Sequence, residues 1–359
     1  MSYRRDWLRP DIVAGLTTGA VIIPKAMAYA MMAGLPVQVG LYTALLPMLI
    51  YAVLGTSRVL SVSTSTTLAI LTAAQLDQVV PNSDPAAVLR VLATLTLLVG
   101  AALVLARLLR LGFVANFMSE PVLVGFRAGI GVVIVVDQIP KVIGIHFARG
   151  TFVQNVLATV HDLPKTSFAA LAVGLTVIVF LLGIEHFMPR MPAPLLAVAA
   201  AIGAASVFNL QHRGVELVGH IPHGMPSLMR PDSSLISVLW PGALGIALMS
   251  FTETVAAGRA FTRKDEPAPR AARELLATGL ANIGGALLGA MPGGGGTTQT
   301  AVNVRAGART QLAEIVTVGM TLVTTFLLAP LVAMLPQSAL AAMVIVYSCG
   351  LIKPIEFRD

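Results

Sequence analysis

An all-α, polytopic membrane protein is the fold class this sequence predicts, and three observations predict it. Of 359 residues, 56% are hydrophobic and only 11% charged, against about 25% charged in soluble domains. Mean hydropathy is +0.83. Apolar stretches long enough to cross a bilayer recur from one end of the chain to the other. Such a chain cannot cover itself with polar surface, so its solvent is largely lipid.

A bilayer core of about 30 Å takes roughly 20 apolar residues as a helix. Stretches of that kind between charges and Pro/Gly punctuation fall at 12–33, 38–56, 62–78, 87–109, 120–144, 167–187, 193–209, 237–262, 272–290, 296–307, 311–330 and 336–352. Twelve spans result, those at 62–78, 193–209 and 296–307 being short or weakly apolar. The basic start and the AMAYA segment imitate a signal peptide. Pro24 and Lys25 interrupt its apolar core, however, and similar stretches continue to the end, so the first span reads as a broken membrane helix.

Alternating the spans from an inside N-terminus puts sixteen Lys and Arg on the inner side: Arg4, Arg5, Arg9, Arg58, Arg107, Arg110, Arg190, Arg259, Arg263, Lys264, Arg270, Arg273, Arg305, Arg309, Lys353 and Arg358. The outer side receives six: Arg90, Lys141, Arg149, Lys165, Arg213 and Arg230. This is positive-inside asymmetry, and the protein is expected in the cytoplasmic membrane with its N-terminus inside. The basic pI then reflects lipid charge and membrane potential, with no nucleic-acid partner implied. The loop 263–274 reads as a solvated inner connection. Segment 151–167 has Phe152, Val156 and Val160 at helical spacing, which suits a helix lying along the membrane or an ordinary loop helix.

Enzyme and metal chemistries find little support. Cys349 has no cysteine to pair with, and the histidines show no zinc-ligand spacing. Gly293–Gly296 precede no Lys-Ser/Thr pair, which removes a phosphate loop. No metal and no cofactor are expected, and the lipid bilayer is the one extended partner.

Two polar segments stand out inside the apolar chain. VLSVSTSTTLAILT at 59–72 has seven serines and threonines, and MPGGGGTTQTAVN at 291–303 has four consecutive glycines before Thr297, Thr298, Gln299 and Thr300. Both read as short helices whose polar N-termini begin within the membrane. Non-helical backbone at that depth needs protein or a water-filled cavity around it. Unpaired N–H groups and the positive end of the dipole favour an anion there. The alternative is that small residues simply let helices pack closely.

Charges deep within spans cost about 2.5–3.5 kcal/mol each on insertion scales, and Lys25 and Glu253 are the most informative of them. Lys25 follows the mid-span Pro24 and either lines an anion pocket or snorkels to an interface. Glu253 is the only acid in its span. It suits proton or sodium coupling, an ion pair with Lys25, or a protonated packing acid. Arg127 reads as structural, paired with Glu120 or a carbonyl, and Asp137 as interfacial.

Four segments resemble the SulP anion permeases, a family that carries sulfate, bicarbonate, chloride and related anions. They are DIVAGLTTGAVIIPKAMAYAMMAGLPVQVGLYTALLP, GTSRVLSVSTST, SEPVLVGFRAGIGVVIVVDQIPKVIG and LANIGGALLGAMPGGGGTTQTAVNVRAGART, and the resemblance runs from Asp11 to Lys353. It implies a transporter fold of seven-plus-seven inverted repeats. Core spans are implied at about 12–109 and 237–330, and gate spans at about 120–209 and 336–352. It further implies an anion held by Ser63, Thr64, Ser65 and Thr66 from the third span and by Gly295, Gly296, Thr297, Thr298 and Gln299 from the tenth. Glu253 matches the family's cation-coupling acid, with H+ or Na+ as the coupling ion.

This chain has Lys25 and Gln299 where many members have Gln and Arg, as if the pocket's positive charge had crossed to the opposite wall. The family pattern would also continue through two more spans and a STAS domain, so the chain reads as truncated after its twelfth span. Secondary transport of a small inorganic anion, sulfate first, is the expected function, with a homodimer compatible with it. Bicarbonate transport, a nucleobase permease of the same fold, and a non-transporting scaffold remain as alternatives.

Overall fold

A computed structural model describes residues 3–80, 85–116, 132, 135–136, 138–145, 152–188, 193–219, 228–262, 266 and 268–349. Arg127, Glu120, Asp137 and most of the 120–144 span lie outside the described residues. The chain divides into two units, one formed by Met1–Met118 with Gly224–Phe326 and the other by Ser119–His223 with Leu327–Asp359.

The first unit begins with α1 (Leu8–Met32). Contrary to the expectation of a broken helix, α1 runs through Pro24 without interruption. Proline removes one backbone donor and crowds one turn, and here the tightly packed interior holds the helix together, with Val21, Ile22, Ile23 and Ala26 all buried. The helix ends where Gly34 takes a left-handed φ of +72°, a conformation for which glycine carries no steric penalty. There the Leu35 amide bonds the Ala30 carbonyl at 2.9 Å. The predicted 38–56 span is two helices, α2 (Val37–Thr43) and α3 (Leu46–Leu54), separated at Ala44 and Leu45.

An extended stretch then leads to β1 (Val62–Ser63), α4 (Thr66–Val79) and α5 (Pro85–Leu108). The return half of the unit supplies α9 (Ile236–Ala260), α10 (Ala271–Leu287), β2 (Gly294–Gly295), α11 (Thr297–Arg305) and α12 (Leu312–Val323). The spans expected at 62–78 and 296–307 are thus half-helices entered from short strands. Helix α10 packs along α3 and α5, and α12 along α1. The core includes Ile22, Ala26, Leu45, Met48 and Val318, with a second cluster around Tyr51, Leu60, Val62, Ala257 and Ala281.

Buried acids pin loops to helix starts. The Asp11 Oδ1 accepts the Arg309 and Thr310 amides at 2.6 and 3.0 Å. The Glu274 carboxylate accepts the Tyr51 hydroxyl at 2.6 Å, the Thr56 amide at 2.9 Å and the Thr56 hydroxyl. Large apolar side chains meanwhile face outward, among them Leu8, Ile12, Val13 and Leu16 on α1 and Leu105 and Leu108 on α5. That inverted surface suits lipid as solvent.

The second unit contains α6 (Phe152–Asp162), α7 (Phe168–Phe187) and α8 (Ala193–Val207), followed after the π-turn Thr324–Leu328 by α13 (Ala329–Ala333) and α14 (Gln337–Cys349). Helix α14 packs on α7 and α8. The exposed apolar stripe of α6 runs through Val153, Leu157 and Val160, with Val156 half-buried. Backbone pairing closes the unit, the Val218 amide bonding the Leu335 carbonyl at 2.8 Å and the Gln337 amide the Glu216 carbonyl at 2.9 Å.

Among the described residues, Arg5–Met32, Val37–Leu54, Ala86–Leu108, Phe168–Phe187 and Ser233–Ala260 are long and apolar enough to cross a membrane, and shorter apolar helices accompany them. The polytopic all-α expectation is met.

Candidate functional site

The two polar segments singled out in the sequence meet inside the first unit. β1 and β2 pair antiparallel, Val62 opposite Gly295 and Ser63 opposite Gly294. The Gly296 amide extends the ladder onto the Ser61 carbonyl at 3.0 Å, and the Ser61 amide bonds the Thr300 Oγ1 at 3.1 Å. Because each strand runs at once into a helix and the strands oppose one another, α4 and α11 leave the crossing in opposite directions. Both positive dipole ends therefore lie at the crossing.

Such extended backbone within a membrane protein must find partners among polar side chains. Gly293 gives its amide to Asn282 Oδ1 at 2.8 Å, and its carbonyl accepts Asn282 Nδ2 at 3.0 Å and Ser250 Oγ at 2.7 Å. The Gly295 amide bonds Thr254 Oγ1 at 2.9 Å, and the Met291 amide bonds Thr43 Oγ1 at 3.0 Å. Glycine is required at 295 by this close approach, since a Cβ there would lie 2.7 Å from the Thr254 Cα.

Helix α4 is capped conventionally: Ser65 Oγ accepts the Leu68 amide at 3.2 Å. The same hydroxyl donates to Glu253 Oε2 at 2.7 Å, so the acid expected to couple cations touches the residue that caps one half-helix. Helix α11 has Gly296 at its N-cap and no capping side chain. Its first-turn residues Thr297 and Thr298 are exposed, whereas Gln299 is buried. Gln299 is a strut between the two ends, with its Nε2 donating to the Thr64 carbonyl at 3.2 Å and its Oε1 accepting Ser63 Oγ at 3.1 Å.

Thr64 is fully buried, and its hydroxyl has no hydrogen-bond partner. A buried hydroxyl without a partner costs roughly 1–3 kcal/mol, and this one lies where the two helix ends meet. Thr66, also buried, shares a side-chain hydrogen bond with Tyr29 of α1. Lower on α1, Thr18 Oγ1 bonds Asn303 Oδ1 of α11 at 3.3 Å. Lys25, only 3% exposed, lies between Thr18 and Tyr29 along α1. Neither Lys25 nor Glu253 is a free charge.

Sequence reading identified the two helix ends, Thr300 among their residues, but missed the other groups that hold them: Ser250, Thr254, Asn282, Asn303 and Glu314. Asn282 and Glu314 carried a usable signal, being strongly polar residues within largely apolar spans, the same criterion that singled out Glu253.

A polytopic helical bundle with two opposed half-helices meeting at its interior defines a membrane-carrier fold. The chain belongs to the sulfate permease family, whose pattern matches residues 8–359. It is 36% identical over 358 residues to a Mycobacterium tuberculosis protein named "Probable sulfate transporter", covering 99% of this chain and 64% of that one. Identity is 31% over 370 residues to "Sulfate transporter 2.2" of Arabidopsis thaliana (98% and 54% covered) and 29% over 375 residues to human "Solute carrier family 26 member 6" (98% and 49%). The chain thus spans roughly half to two-thirds of the length of these relatives.

Among solved structures, the fold matches murine Solute Carrier 26 family member A9 in its inward-facing state with a TM-score of 0.93 at 23% identity, covering 99% of this chain and 63% of that one. It matches the transmembrane domain of the cyanobacterial bicarbonate transporter BicA with a TM-score of 0.88 at 22% identity, covering 99% and 92%.

Proposed function

We propose that this chain is the membrane part of a secondary anion transporter with sulfate as its cargo, bound where α4 and α11 meet. The observation that carries the reading is the buried, unpartnered Thr64 hydroxyl set between two helix N-termini. The sulfate-transporter names of its relatives support the choice of cargo.

Charge favours the same ligand. Each helix end contributes about half a positive charge, so the two ends together offer about +1 toward an oxyanion, and the buried Lys25, which also interacts within the protein, adds to the positive character of the region. Thr64, Thr66, Thr297 and Thr298 supply hydroxyl donors, and Ser63, Gly295, Gly296 and Gln299 fix the backbone that presents them. A divalent sulfate is drawn to that field more strongly than a monovalent bicarbonate. Ionised Glu253, through Ser65, subtracts one. A proton or sodium ion at Glu253 restores it, so cation and anion bind cooperatively and their gradients are linked. The excess of Lys and Arg in the predicted inner loops supports an inside N-terminus.

Uptake of radiolabelled sulfate, bicarbonate and uracil into proteoliposomes tests the proposal. Sulfate uptake driven by an imposed proton or sodium gradient is the expected result. Uracil uptake, or no uptake of any of the three, overturns it; bicarbonate uptake alone replaces the cargo.

A further inference from the structure

Behind the crossing lies a second fully buried acid, Glu314 on the first turn of α12. Its Oε2 accepts Ser61 Oγ at 3.0 Å and its Oε1 accepts Asn303 Nδ2 at 2.8 Å. Asn303 Nδ2 also reaches the Val59 carbonyl at 3.0 Å. Ser61 is the residue whose main chain bonds Gly296 and Thr300. One carboxyl group therefore grips both arms of the crossing, the strand leading to Thr64 and the body of α11. No salt bridge to Glu314 occurs among the described residues. Burying an acid is costly, and apolar residues of similar volume often serve stability as well or better. What the carboxyl adds is fixed geometry, two directional bonds that an apolar side chain cannot make.

We propose that Glu314 is a positioning residue for the anion site: its two hydrogen bonds, to Ser61 and to Asn303, hold the Thr64 segment and the body of α11 at the spacing a tetrahedral oxyanion needs. Donors must be placed within about 0.5 Å to bind well, and the Glu314 bonds brace from behind the four that residues 59–64 make directly to Gln299, Thr300 and Asn303 of α11. The inference rests on the anion site proposed above.

The test uses the full chain in a Cys349→Ser background with two readouts. The first is the concentration dependence of sulfate uptake. The second needs no substrate: the distance between spin labels at Gln78→Cys and Arg305→Cys, at the far ends of the two half-helices. Glu314→Leu is expected to raise the half-saturating sulfate concentration tenfold or more, lower the maximal rate less than threefold, and broaden the label distance. Glu314→Gln keeps an acceptor for Asn303 and a donor for Ser61, and should return the half-saturating concentration to within threefold of wild type. Wild-type half-saturation and label distances in Glu314→Leu overturn the proposal. So does a Gln variant as impaired as the Leu variant, since hydrogen bonding would not then be the cause. If Glu314→Leu does not fold, Ser61→Ala, which deletes one of the two bonds, carries the test: a weakened half-saturation is expected, and an unchanged one overturns the role. Should the wild type transport no sulfate, the anion-site reading fails, and the label distances still decide whether Glu314 sets the geometry.

Discussion

Replacing Thr64 by valine separates a binding group from a structural one. The Thr64 hydroxyl is fully buried and makes no hydrogen bond within the protein, so valine removes a cost and breaks nothing. In the absence of anion the variant should be at least as stable as wild type, gaining up to about 1–3 kcal/mol from loss of the unsatisfied hydroxyl. With sulfate the sign reverses. A hydrogen bond to a charged group is worth about 1.5–3 kcal/mol, which corresponds to roughly a 10- to 150-fold loss of affinity. Thermal unfolding in detergent reads both effects. At a sulfate concentration 100 times the wild-type Kd, ligand stabilises the wild type by about 2.7 kcal/mol, and a tenfold weaker site retains about 1.4 kcal/mol of it. An equal sulfate-induced shift in the two proteins, or a Thr64→Val variant less stable than wild type without sulfate, would refute the reasoning.

Three further outcomes are expected. Glu253→Gln keeps the shape and an acceptor for the Ser65 hydroxyl but removes the charge that a cation titrates; gradient-driven accumulation should be lost while sulfate still binds, and wild-type pH and sodium dependence of uptake would refute the coupling role. Lys25→Gln should weaken sulfate binding by about 2–5 kcal/mol, as for removal of one partner of a buried charge pair, and adding Gln299→Arg should recover part of it, incompletely because guanidinium and ammonium differ in geometry and hydration; full binding by the single variant, measured calorimetrically, would refute the charge assignment. Gly295→Ala forces a methyl to 2.7 Å from the Thr254 Cα and should cost about 1–3 kcal/mol together with uptake, whereas Gly319→Ala on α12, where a Cβ meets nothing within 4 Å, should leave both intact.

Local signals in the sequence were sufficient for the half-helix ends. Four glycines followed by threonines, and a run of hydroxyl residues, suit a polar helix start as well as the close packing that small residues allow, and α4 and α11 do begin there, at Thr66 and Thr297. Pairings across the chain were not legible. Nothing near Ser61 indicates that Glu314 receives its hydroxyl, and nothing near Gly293 indicates that Asn282 will take both of its backbone groups. Those bonds depend on which helices become neighbours, which a pattern of hydrophobicity does not encode. Pro24 misled for a related reason: local preference says break, and the packing of α1 against α2, α11 and α12 says continue.

The pairing of β1 with β2 has a consequence in time. Ser63 and Gln299, which hydrogen-bond across the crossing, are 236 positions apart. At a synthesis rate of roughly 5–20 residues per second, the first strand waits on the order of 10–50 s for its partner to emerge. Throughout that interval the uncovered end of α4 sits in a nascent chain already entering the bilayer, its strand amides and carbonyls without the partner they will finally have. The apparatus that inserts this protein must therefore shelter an unfinished polar edge while most of the remaining helices are being made. Destabilising substitutions in the β2 segment should accordingly reduce yield at assembly before they reduce the durability of the finished protein.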